Sequence, residues 1–559
     1  MAYERNVSPT KPYRRVLRHV TTGFALLLVF LALIVPDQIT RLPPGNSVWT
    51  ALVRIPVEAL VAGMLLLSLP QKGRFRRVFT ITIGVILGLL TVVKLVDVGF
   101  FAVLARRFDP VLDWALFDDG FNFLVDSLGR PSAIGVAVGV VLLAVGLVAG
   151  MTWAIQRLGG ILTAHRARAW RGLGTVGVAW VALAALGVQL IGGIPVASYT
   201  ASELAAHTAL ALPNDLRDRE RFAAEVKIDA YRDQPGDQLL TALRDKDVML
   251  AFIESYGRDA VENPEFNGAV LNSLAANTER LAKAGFSARS GWLTSPTSGG
   301  GSWLAHSTFL SGMWVENEAR YRSLVASDRL TLTRAFKNSG HRSVGVEPGI
   351  SFAWPEGQFY GYDHIYDSHT LGYNGPAFSW SSMPDQFVMK AYHDLEHSKT
   401  DRPKLAAEIT LTSSHTPWAP VPGMLDWDAM GDGSVYGPVV ADAETPQSLY
   451  KDNHRVRTEY ARSIAYSVDS LMQYLEKYGD ENTVMVFLGD HQPNSIVVGL
   501  NASHDVPITV VAKDPKVLDR IASWGWTDGI KPDTAAPVWR MDTFRDRFLA
   551  AYGPENDPH

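Results

Sequence analysis

Apolar runs crowd the first two hundred residues and then stop. A soluble α/β core has no use for so many uncharged stretches of that length. A bilayer does, because a helix of roughly 20 apolar residues covers its hydrocarbon core. Five spans can be read: residues 20–35, 48–69, 78–104, 133–155 and 172–197. The first is short and ends at Pro36, so a cleaved signal peptide competes for it. No convincing small-residue cleavage site follows and four more spans do, which favours an uncleaved anchor. Basic residues gather in alternate loops: Lys11, Arg14, Arg15 and Arg18; then Lys72, Arg74, Arg76 and Arg77; then Arg157, Arg166, Arg168 and Arg171. The loop between spans three and four is acidic, with Asp109, Asp113, Asp118, Asp119 and Asp126, although Arg106, Arg107 and Arg130 flank it. Positive charge stays in the cytoplasm, so the N-terminus is expected inside and everything after residue 197 outside. The amphipathic stretch 112–128 is expected to lie on the outer membrane surface.

From about Lys246 the pattern changes to short apolar runs alternating with helical ones. Strands are expected at 248–255, 342–348, 407–415, 483–491 and 506–514, and helices near 271–284, 330–338, 386–396 and 459–478. That alternation predicts a mostly parallel sheet covered on both faces. The expected organisation is a five-helix transmembrane domain over 1–198, a juxtamembrane linker over 199–244 and an α/β extracytoplasmic domain over 245–559.

Ligands of such sheets bind beyond the C-terminal strand ends. Glu254, His415, Asp490 and His491 all fall there; His504 stands just before a strand and would need a loop to bring it in. Each taken alone could be a strand-end cap, a solvated turn or one of 14 histidines on the surface. A second signal is TSPTSGGGSWLAHSTFLSG, residues 294–312. Its glycines permit close backbone approach, and a helix starting at Ser302 would aim free N–H groups at an anion. Ser302 is the candidate nucleophile, with Thr294, Thr297 and Ser298 as rivals, and a plain N-cap serine reads the same way. The chain has no cysteine, which excludes disulfides, thiolate zinc sites and a cysteine nucleophile. A net charge of -5 and the lack of a basic block interleaved with aromatics give no sign of a nucleic-acid partner.

Taken together, FIESYG (252–257), GGGSWLAHSTFLSG (299–312), LTSSHTPW (411–418) and LGDHQPN (488–494), with SHDVPITVV (503–511) in support, resemble the alkaline phosphatase/sulfatase superfamily. With five spans ahead of them, they resemble lipoteichoic acid synthase-type phosphoglycerol transferases and, more distantly, phosphoethanolamine transferases. The resemblance implies that Glu254, Asp490 and His491 bind one divalent cation, with Ser302 as nucleophile and fourth ligand. It implies that His415 and His504 contact the transferring phosphoryl group or the leaving oxygen. Two carboxylates, an imidazole and a hydroxyl suit manganese or zinc in preference to magnesium. Trp354 and Glu347 fall where the headgroup would bind, but Pro355 and Glu356 stand where an arginine is expected. His306 has no clear counterpart; four positions after Ser302, it can share its helix face and approach the phosphoryl site. The sulfatase maturation pattern C/S-x-P-x-R would fall on Ser302, Leu304 and His306, so its proline and arginine are both missing, which argues against sulfate-ester hydrolysis. The leading expectation is a transferase of the bacterial inner membrane. It would move a phospholipid headgroup through a phospho-serine to a cell-envelope glycan or lipid. A phosphodiesterase or phosphatase using water and a non-catalytic envelope scaffold are the alternatives.

Overall fold

The computed structural model describes residues 12–39, 52–70, 73–104, 108–109, 112–114, 116–191, 194–378, 381–499 and 502–554. The start of the second expected span and the basic residues Lys11, Lys72, Arg106 and Arg107 lie outside them. Two compact units divide the chain: Met1–Phe101 with Arg106–Leu216, and Ala102–Ala105 with Arg217–His559.

The first unit is helical: α1 (Pro12–Ile39), α2 (Val57–Ser68), α3 (Arg74–Leu104), α4 (Leu116–Leu128), α5 (Arg130–Ala164) and α6 (Arg166–Ala185). Among the described residues three helices are long and apolar enough to cross a membrane, within α1, α3 and α5. The second expected span is the shorter apolar helix α2. The fifth differs from expectation: its helix begins earlier, at Arg166, and stops at Ala185. Gly187 then turns with φ +60°, and short strands follow from Gln189. Helices α3 and α5 approach closely where Gly84 and Gly88 face Thr152 and Val148; a Cβ at either glycine would overlap the α5 backbone. Small residues four apart permit such packing in lipid, where side chains gain nothing from leaving water. Lys94, buried in α3, donates from Nζ to the Ala32 and Leu33 carbonyls of α1 at 3.3 Å each.

Helix α7 (Thr200–Glu225) carries the chain into the second unit. There the elements run β1 (Asp247–Ile253), α8 (Gly268–Lys283), β2 (Ser287–Thr294), α9 (Ser302–Ser311), α10 (Leu332–Asn338), β3 (Arg342–Glu347), β4 (His364–Asp367) and α11 (Asp385–Tyr392). They continue with β5 (Leu405–Leu411), α12 (Asn453–Tyr478), β6 (Thr483–Gly489), β7 (Asp505–Ala512), β8 (Thr527–Asp528), β9 (Val538–Arg540) and α13 (Phe544–Tyr552). These strands form one nine-stranded sheet in the order β8-β2-β7-β6-β1-β5-β3-β4, with β9 also paired to β2. Its central strands β1 and β6 are buried at every position, which is why they read as continuous apolar runs. Alternate residues still serve opposite faces. Met249, Ala251 and Ile253 enter a core with residues of α8, α11 and α12, whereas Val248, Leu250 and Phe252 enter one with residues of α9, α10 and α13.

The sheet is mixed, with parallel pairings in the majority. Strands β6, β1, β5, β3 and β4 run parallel, but β7 is antiparallel to both β6 and β2. A parallel return needs a crossover of a dozen or more residues, usually a helix. Between Gly489 and Asp505 the described chain holds only the four-residue helix Ser495–Val498, so it turns back on the same rim. His504 therefore stands at that rim because of strand direction.

Candidate active site

Four chain segments meet at the C-terminal ends of β1 and β6 and the N-terminus of α9. Glu254 follows β1 directly, and its N–H donates to the Leu411 carbonyl of β5. Ser255, next along, holds an unusual φ of +57°. Asp490 and His491 follow β6 at Gly489, where a Cβ would overlap the Tyr256 carbonyl oxygen. Only glycine lets these two rim turns cross so closely. Asp490 Oδ1 accepts the backbone N–H groups of Ser255 and His491, each at 2.7 Å, which fixes the carboxylate across both turns. On the other side Gly301, with φ +83°, caps α9 and sets Ser302 at its first position.

The Ser302 hydroxyl donates to Glu254 Oε2 at 2.8 Å and lies 3.1 Å from His491 Nε2. His491 Nε2 is 3.5 Å from Glu254 Oε1 and 3.6 Å from Asp490 Oδ2. The ligand atoms of Glu254, Asp490 and His491 all lie within 4.8 Å of one another, a buried group able to hold a metal ion. His491 Nδ1 contacts the Gln492 carbonyl at 2.8 Å, which assigns the proton to Nδ1 and leaves Nε2 bare for a cation. The rival hydroxyls are placed differently. Thr294 donates to Asp505, Thr297 has a buried Oγ1 with no partner, and Ser298 forms a bridge with Gln492.

The electrostatics fit a cation. Burial raises the Asp490 carboxyl to about 6, and the Glu254 charge beside it adds to the rise. Burial also works against Glu254, but the imidazoles of His491 and His415 outweigh it and hold that group down at about 2. For His491 burial opposes protonation, while Asp490 and Glu254 raise it overall. Asp490 Oδ2 is buried and has no hydrogen-bond partner. Two buried carboxylates with a bare imidazole and an orphaned oxygen are a donor set that a divalent ion satisfies.

Of the remaining candidates, His306 and His415 lie next to this cluster. His415 is half-buried, its Nδ1 against the Thr416 carbonyl, and burial holds its pKa below the usual value despite the Glu254 charge. His306, on α9, points Nε2 at Asp490 Oδ2 from 4.0 Å. Glu347 ends β3 beside Glu408, and burial with the Glu408 charge pushes its carboxyl well above the usual range. Trp354 packs on Tyr360 and Tyr362, with ring centroids 5.5 and 6.5 Å away. His504 is exposed; its carbonyl accepts the Ser295 N–H at 2.9 Å, and Ser295 Oγ in turn donates to the Asp490 carbonyl at 2.6 Å. Sequence reading passed over Glu408 and Tyr362. An acid inside the apolar run LAAEITL was the available signal for the first.

The fold and the cluster together define an α/β domain of alkaline phosphatase/sulfatase type, with a hydroxyl held against a candidate metal centre. Residues 246–507 match the family model described as sulfatase, so the chain carries a sulfatase-family domain. No curated protein matches it. Solved structures similar to it include the lipoteichoic acid synthase LtaP from Listeria monocytogenes, at 14% identity over 60% of this chain and 78% of that one, TM-score 0.36. Another is the Streptococcus pyogenes phosphoglycerol transferase GacH in complex with sn-glycerol-1-phosphate, at 16% identity over 53% and 73%, TM-score 0.35. A third is the C-terminal periplasmic domain of EcEptC from Escherichia coli, in complex with Zn, at 12% identity over 48% and 72%, TM-score 0.33.

Proposed function

We propose that this protein is a membrane-anchored phosphotransferase that moves a phospholipid headgroup, through a phospho-serine at Ser302, to a glycan or lipid of the cell envelope. One observation carries the reading: a helix-terminal hydroxyl bonded to Glu254 and within 3.1 Å of His491, beside a third buried ligand. Glu254, Asp490 and His491 would hold one manganese or zinc ion with Ser302. Bound there, the ion would lower the hydroxyl's pKa and screen charge on the phosphoryl oxygens. The chain's own part is orientation. Glu254 Oε2 takes the Ser302 hydrogen bond, which points the oxygen's lone pairs away from the carboxylate. The free N–H groups at the start of α9 favour an anion at the same spot. Ser302 Oγ gives up its proton along the hydrogen bond to Glu254 Oε2 and attacks phosphorus; the phosphorus–oxygen bond to the lipid breaks and the freed lipid oxygen takes up a proton; an acceptor hydroxyl then loses its proton, displaces the serine oxygen and leaves Ser302 reprotonated. His415 and His504 are assigned to the phosphoryl oxygens and the leaving oxygen, His306 to a substrate hydroxyl beside them, and Glu347 and Trp354 to the headgroup.

Phosphoryl rather than sulfuryl chemistry is favoured because Leu304 and His306 stand where the sulfatase maturation pattern needs proline and arginine. A lipid donor is favoured by the apolar helices. With α2 and α6 counted as crossings beside α1, α3 and α5, the basic loops put the N-terminus in the cytoplasm and the catalytic domain outside. The test uses membranes holding the full chain and a headgroup-labelled phospholipid, with manganese or zinc supplied. Label on a glycan or lipid acceptor supports transfer, and label only in free headgroup phosphate assigns water as acceptor. Label that moves equally with Ser302→Ala refutes the site.

A further inference from the structure

Glu408 interrupts the otherwise apolar strand β5 and is only 2% exposed. A carboxylate in such a place is costly unless it is paired. Its Oε1 lies 3.4 Å from His306 Nδ1, and its Oε2 accepts the Tyr362 hydroxyl. Glu347 stands beside it, its carboxyl pushed well above the usual range by burial and by the Glu408 charge. The His306 ring is fixed from other directions too. It stacks on Phe252, with centroids 3.8 Å apart and planes 17° from parallel. Ser307, next to it on α9, bonds the Tyr360 hydroxyl at 2.8 Å, and the Tyr360 ring stacks on Tyr362. The far ring atom, Nε2, is buried with no hydrogen-bond partner and faces Asp490 Oδ2, equally buried and without one. The two orphaned atoms stand 4.0 Å apart.

We propose that Glu408 is a positioning residue: its carboxylate holds the Nδ1–H of His306, so that bare Nε2 stands beside Asp490 to accept a hydrogen bond from a substrate hydroxyl. The substrate itself rests on the phosphotransferase reading; the hold of Glu408 on the ring does not. Tyr362 and Glu347 complete the device by keeping the Glu408 charge on the side facing the imidazole. Without that charge the ring loses its reason to keep the proton on Nδ1, and Nε2 becomes a donor half the time or more.

Two measurements on the full-length protein in membranes decide it. The first is a double-mutant cycle on donor turnover. Glu408→Gln is expected to lower kcat by roughly 10–100-fold, by analogy with the outer hydrogen-bond partners of metal-ligating histidines, with KM changed by less than about 3-fold. In a His306→Ala background the same change should cost no more than about 2-fold, because the residue it acts through is gone. Equal losses in both backgrounds mean a structural role and overturn the proposal. The second is the ring 15N spectrum of histidine-labelled protein, with His306 assigned by its loss in His306→Ala. Nδ1 protonated and Nε2 bare in the parent, with a tautomer change in Glu408→Gln, supports the proposal; any other parent tautomer, or none changed, overturns it. Should no phospholipid donor turn over at all, the phosphotransferase reading falls, while the 15N result still decides what Glu408 does to His306.

Discussion

Asp490 is the residue on which the site's electrostatics turn. Its carboxyl sits at about 6 because burial and the neighbouring Glu254 both resist a second negative charge. A cation must therefore displace a proton from this group below that pH and need not do so above it. Affinity for manganese or zinc, measured by calorimetric titration, should fall as pH drops through 6, and the raised His491 imidazole, which must also lose its proton to bind, should start that fall at higher pH. Asp490→Asn should weaken that affinity by more than the ~10–100-fold typical of an outer hydrogen-bond partner, since it removes a ligand outright. Ser302→Ala should leave most of the affinity, because three ligands remain, yet lower turnover by about 1,000-fold or more. Much at this scale was legible: Glu254, Asp490 and His491 stood out because strand ends are where open sheets do chemistry. Glu408 and Tyr362 did not. Their partners come from other strands and loops, and nothing in a local pattern announces such a meeting.

Secondary elements were read well where burial is complete and poorly where it is partial. β1 and β6 are buried on both faces, so their apolar runs mark them within two residues. β2 reads SARSGWLT, with serine and arginine among its apolar positions, and hides in such a scan. The direction of β7 depends on what connects it to β6, a property of loop length rather than strand composition. Helix α13 shows how elements are locked. Arg545, fully buried on it, forms a two-pronged bond with Asp229 at 3.0 Å per contact. Removing one partner of a buried pair strands the other charge, at about 3–5 kcal/mol. Arg545→Met leaves Asp229 with Arg329 at 3.5 Å, so it should lower unfolding stability toward the lower end of that range in denaturant titration. Burial pushes the Asp229 carboxyl up, but Arg545 and Arg329 outweigh it and leave the group below 3.8. The unfolded chain then binds more protons in acid, so this stabilisation is present above pH 3.8 and fades as pH falls below it. Arg545→Met should therefore flatten the acid limb of the stability profile.

At the scale of the whole molecule the chain joins an apolar helical unit to a sulfatase-family domain. The absence of cysteine makes sidedness easy to test. Ser523→Cys, exposed in the second unit, should react with an impermeant maleimide on intact spheroplasts. Arg74→Cys, exposed at the start of α3, should react only after the membrane is opened. The opposite pattern would invert the topology. The most direct test of the central claim is intact and peptide mass analysis of the full chain after exposure to membrane phospholipid with manganese or zinc. The account predicts a headgroup-phosphate adduct on the peptide holding Ser302, absent from Ser302→Ala. No adduct, or one on Thr294, Thr297 or Ser298, would contradict it.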